Sequence, residues 1–123
     1  MLTALLVALS VATTAPATKT LTSADNGKTV TIAKSQRLNI ALSECGSCGF
    51  SWRTTAKPDR TVLSRRPNVH KDSTCKPPCT GGQYTNVFRY TGKASGRTKI
   101  RLAYFGPGKS KSSKSFRITV RVR

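Results

Sequence analysis

The 123 residues leave room for one domain and one hydrophobic core, not two. With 37% hydrophobic and 21% charged residues the composition excludes a disordered chain, and one histidine with four acids supplies little for acid–base catalysis. Twenty-two Lys and Arg against those four acids give a formal charge of +18, a self-repulsion that the fold must tolerate and that points to partners.

Residues 1–17 read as a secretory signal. Leu2, Ala4, Leu5, Leu6, Val7, Ala8, Leu9 and Val11 form an apolar run of the right length, and Ala15-Pro16-Ala17 has the small-x-small form of a cleavage site, although no Lys or Arg precedes the run. The run is too short to span a bilayer comfortably. The expectation is a domain of residues 18–123, secreted to the extracellular space or cell envelope, monomeric and without a membrane span after cleavage.

From Leu21 onward no stretch keeps a helical apolar period, whereas period-two stretches recur. Strands are predicted at about Val30 to Ala33, Gln36 to Leu42, Phe50 to Thr55, Thr61 to Ser64, Asn86 to Tyr90, Lys99 to Tyr104 and Ser115 to Val122. Turn signals separate them at Asp25-Asn26-Gly27, Lys57-Pro58-Asp59, Thr80-Gly81-Gly82, Thr91-Gly92-Lys93 and Gly106-Pro107-Gly108. Seven to eight short strands at this spacing predict an all-β fold, an antiparallel β-sandwich. In the last strand Phe116, Ile118, Val120 and Val122 alternate inward against Arg117, Thr119, Arg121 and Arg123. Trp52, Leu38, Ile40, Leu42, Phe88, Tyr90, Ile100, Leu102 and Tyr104 complete the predicted core, and Lys109 to Lys114 reads as a solvated basic connector.

From the end of the second predicted strand into the third runs Cys45-Gly46-Ser47-Cys48-Gly49-Phe50-Ser51-Trp52. Small side chains, two glycines and two close cysteines make a loop that is tied down and able to present backbone to a cleft. Cys75 and Cys79 form a second close pair. Four thiols so spaced also suit a zinc site, but an even count behind a secretory signal favours disulfides, with three connectivities open. Cys45-x-x-Cys48 is flanked by strands rather than opening a helix, against redox chemistry. His70 stands in a polar segment as a surface residue, and Asp25, Glu44, Asp59 and Asp72 are scattered. Gly81-Gly82 lacks the Lys and the helix of a phosphate-binding loop. No catalytic residue, metal site or cofactor is expected, and the chain is not read as an enzyme.

The order of these features resembles the chagasin family of cysteine-peptidase inhibitors, from about Lys28 to Val122. The family's first loop reads Asn-Pro-Thr-Thr-Gly-aromatic. Here Cys45-Gly46-Ser47-Cys48-Gly49-Phe50 stands in that place, with Gly49 and Phe50 matching and Ser51-Trp52 following as in many relatives. Gly81-Gly82 match the Gly-x-Gly-Gly second loop, with Cys79 at the earlier glycine. The Arg-Pro-Trp third loop keeps its proline in Gly106-Pro107-Gly108, and Phe105 is the nearest aromatic. The resemblance implies an immunoglobulin-like sandwich whose three loops wedge reversibly into the cleft of a papain-like cysteine peptidase. Cys45, Gly46, Ser47, Cys48, Gly49 and Phe50, then Gly81, Gly82 and Gln83, then Phe105, Gly106, Pro107 and Gly108 would make the contact. Cystines in the first two loops would replace the rigidity of the lost proline.

Charge gives a second reading. Arg89, Arg97, Lys99, Arg101, Arg117, Arg121 and Arg123 are predicted to form a basic sheet face for an anionic polymer or surface, whether nucleic acid, envelope polymer or glycan. On that reading the face is either an accessory to inhibition or the main role of a chain that keeps the fold and has lost inhibition.

Overall fold

A computed structural model describes residues 17–45, 48–72, 83–108 and 111–123. Eight strands account for most of them: β1 Lys19–Leu21, β2 Thr29–Ile32, β3 Arg37–Cys45, β4 Ser51–Ala56, β5 Leu63–Asp72, β6 Gln83–Gly92, β7 Gly96–Phe105 and β8 Ser112–Val122. They form two four-stranded sheets, β1-β3-β6-β5 and β2-β8-β7-β4. Most neighbours are antiparallel, and the parallel pairs are the two short outer strands, β1 with β3 and β2 with β8. Because β3 and β4 belong to different sheets, the chain crosses the sandwich between Cys45 and Ser51.

Period-two alternation builds the core as read from sequence. Leu38, Ile40 and Leu42 of β3 and Phe88 and Tyr90 of β6 face Ile100 and Leu102 of β7 and Phe116, Ile118, Val120 and Val122 of β8, all buried. Trp52 and Tyr104 close that core at one end, and Leu21, Val30, Ile32, Val62 and Leu63 extend it beyond the predicted set. Burying each such aliphatic or aromatic side chain contributes roughly 1.5–3 kcal/mol.

Three expectations require correction. β1 is a further strand, three residues long, with only Leu21 buried, too short to show an alternation. The strand predicted to stop at Ser64 runs on to Asp72. Its Pro67 is tolerated because β5 is an edge strand whose register shifts between Arg66 and Val69, and the Pro67 carbonyl accepts a hydrogen bond from Arg89 Nε at 2.8 Å. Finally, the basic connector is shorter than expected, because Ser112–Lys114 belong to β8.

Candidate functional site

The strand ends fix where the predicted loops emerge. Cys45 pairs with Gln83 and Asp72 with Tyr84 in one sheet, and Ser51 pairs with Phe105 in the other. All of these residues lie at one end of the sandwich, so the 45–51 crossing, both ends of the 72–83 connection and the 105–112 connection share a pole. Gly46, Ser47, Cys75, Cys79, Gly81 and Gly82 lie outside the described residues. Gln83 begins β6 and Phe105 ends β7, so both are strand termini rather than mid-loop residues.

The first and third loops touch. Gly49 adopts φ +80°, a conformation that L side chains rarely take, and a Cβ built there would stand 3.1 Å from Pro107 Cβ. A Cβ at Gly106 would lie 2.8 Å from the Phe50 ring. Backbone and ring are thus in direct apposition, and Pro107 and Gly108 remain exposed at the tip. Phe50 stacks on Tyr104 with centroids 5.2 Å apart, and Tyr104 packs on Trp52 at 4.9 Å. This aromatic column seats the loops on the core.

Within the first loop a disulfide joins Cys45 to Cys48, with Cα atoms 5.3 Å apart. Of the three connectivities left open by sequence, the structure therefore has the local one for this loop. The Cys45 carbonyl accepts from both Cys48 N–H (3.2 Å) and Phe50 N–H (3.0 Å), and Cys45 N–H donates to the Tyr104 hydroxyl (2.9 Å).

Beneath the loop sits Glu44, only 4% exposed, at the inward position that follows Leu42. Its Oε1 accepts from Trp52 N–H at 2.6 Å and from Asn86 Nδ2 at 3.2 Å, so one carboxylate oxygen joins β3 and β6 to β4 across the sandwich. Trp52 Nε1 adds a bond to the Ser43 carbonyl at 3.0 Å. His70, read as a surface residue, keeps a half-exposed side chain, yet its Nε2 stands 3.8 Å from Glu44 Oε2 and its ring packs edge-on to Tyr84. Sequence reasoning passed over Glu44 and Tyr104 as site residues. The β3 alternation held the signal for Glu44, since Leu38, Ile40 and Leu42 place residue 44 inward.

The basic residues divide between the sheets. Arg97, Lys99 and Arg101 of β7 and Arg117 and Arg121 of β8 are exposed on the outer face of the β2-β8-β7-β4 sheet, and Arg123 follows β8. Arg89 lies on the other sheet, in β6, and does not join that face.

Several solved structures share this architecture. The cysteine protease inhibitor EhICP2 from Entamoeba histolytica matches with a TM-score of 0.76 and 20% identity over 87% of this chain and 96% of that one. Amebosin gives 0.70 and 26% over 86% and 98%. PbICP-C, solved in complex with falcipain-2, gives 0.56 and 18% over 85% and 97%. No curated protein matches the sequence. The family model of the chagasin family peptidase inhibitor I42, which describes inhibitors rather than enzymes, matches residues 31–120, and the chain belongs to that family.

Proposed function

We propose that the chain is a secreted, monomeric, reversible inhibitor of papain-like cysteine peptidases, which inserts the shared loop pole into the substrate cleft. The observation that carries this reading is the apposition of Gly49 with Pro107 and of Gly106 with Phe50, which joins two loops distant in sequence into one narrow edge. The solved complex of PbICP-C with falcipain-2 supports a peptidase as the partner. Such an edge presents main chain and small side chains, which enter a cleft by backbone pairing and shape. On this reading the block is non-covalent, held by shape and main-chain pairing. Gly46, Ser47, Gly81 and Gly82 would approach the catalytic centre and groove, with Phe50, Phe105 and Pro107 against the walls. Cleavage after Ala17 would release the active domain, which N-terminal sequencing of the secreted product checks by finding Thr18 first.

Titration of papain with the oxidised protein, read as residual hydrolysis at two ionic strengths, tests the assignment. Competitive inhibition that persists at the higher salt is expected. Full peptidase activity under saturating protein would overturn it.

A further inference from the structure

We infer that the outer face of the β2-β8-β7-β4 sheet is a binding surface for a linear sulfated polysaccharide, centred away from the loop pole on the Arg101 and Arg117 pair. Strand register sets arginines directly opposite one another, Arg97 against Arg121 and Arg101 against Arg117, with Lys99 between them along β7. Opposed like charges destabilise a sheet, so the pairs weaken the fold in isolation and need an anion between them to become favourable. Among the described residues no acid has an ion pair with any of these five cations; the two acidic contacts of that kind are Asp25 with Lys28 and Glu44 with His70.

Two depressions continue the surface. One of about 620 Å³ is lined by Thr55, Arg101, Phe105, Lys111 and Arg117, and one of about 230 Å³ by Lys99, Arg101, Arg117 and Thr119. Arg101 and Arg117 line both, so the depressions form one track with that pair at its middle. Along β7 the cations recur at every second residue, about 7 Å apart. This spacing suits a ligand that carries repeated oxyanions along an extended chain, and the guanidinium fork matches sulfate with paired hydrogen bonds.

Nucleic acid fits the track less well. Binding of single strands uses successive aromatic platforms, whereas of the two aromatics lining the track Phe116 is buried and Phe105 already has the Arg53 guanidinium over its ring at 5.6 Å. A flat four-stranded face also presents no helix or narrow ribbon to a DNA groove.

The test titrates the oxidised protein with a defined heparin oligosaccharide and, separately, with single- and double-stranded oligonucleotides of equal charge, across a salt series. An Arg101→Ser/Arg117→Ser variant is compared with Arg60→Ser/Arg65→Ser. The second pair lines a different cation-rich depression, with Lys57 and Lys93, and changes net charge equally. Expected are heparin binding tighter than either oligonucleotide, loss of about tenfold or more in affinity for the first variant alone, and a salt slope reduced by about 2. Unchanged papain inhibition in the first variant, with a melting midpoint that does not fall, separates this site from the loop pole. Equal losses in both variants would reduce the effect to bulk charge and overturn the proposal, as would preferential binding of oligonucleotide or no binding to heparin.

Discussion

Gly49 and Glu44 act on the same loop from opposite sides. At Gly49 an added methyl meets both a positive φ, costing roughly 1–2 kcal/mol for an L residue, and the Pro107 ring 3.1 Å away. Gly49→Ala is therefore expected to push the first and third loops apart and to weaken papain inhibition by about tenfold or more, equivalent to ~1.4 kcal/mol. Inhibition constants measured on protein that denaturant midpoints show to be folded check it, and unchanged inhibition by the folded variant would overturn it. Glu44 works from beneath. Replacing it with Leu leaves the buried Trp52 N–H and Asn86 amide without their acceptor, a loss of about 1–3 kcal/mol in unfolding free energy. Glu44→Gln keeps an acceptor oxygen and should lose less, and chemical denaturation of the two variants orders them. Both roles come from tertiary placement. The glycine was visible as a turn signal and the glutamate lay on an apolar register, but nothing local joins residue 44 to residues 52 and 86.

At the scale of the element, the crossing between β3 and β4 is held by a disulfide and by two hydrogen bonds to the Cys45 carbonyl. Its Cys45–Cys48 disulfide closes so short a loop that the chain-entropy model assigns it only about 2 kcal/mol. Its larger effect is on binding, where a loop ordered in advance avoids the cost of ordering on contact. Cys45→Ser/Cys48→Ser should accordingly weaken papain inhibition more than it lowers the melting midpoint, and titration of both proteins with peptidase beside thermal melts decides this. A variant that inhibits as well as the disulfide form would remove the role assigned to the bridge. Strands were legible where alternation was long, as in β3, β7 and β8. They were not legible where the pattern was interrupted, as at Pro67 in β5, whose bulge on a sheet edge resolves a conflict that sequence alone counts against a strand. The loop pole was legible only as an order of motifs. Its convergence depends on register, with Cys45 beside Gln83 and Ser51 beside Phe105, and register is a property of paired strands rather than of any one of them.

Taken as a whole, the molecule carries cations on both outer faces. On the β1-β3-β6-β5 sheet Arg66 stands opposite Arg89, and the Arg37 charge, then desolvation and Arg89, hold the Arg66 guanidinium below its ordinary pKa. With +18 and few acids, the free protein is expected to gain stability as salt screens this repulsion. Its melting midpoint should rise between about 10 mM and 150 mM NaCl, as the Debye length falls from ~30 to ~8 Å. A midpoint that is flat or falling by calorimetry would show the charges to be already neutralised within the fold. Trp52, the sole tryptophan, is packed against Tyr104 directly under the loop pole, and its indole N–H is fixed on Ser43. The protein thus has a built-in optical gauge. Its intrinsic emission follows events at the insertion edge without any label, and a change on mixing with a catalytically silenced, tryptophan-free peptidase fragment would time the encounter directly.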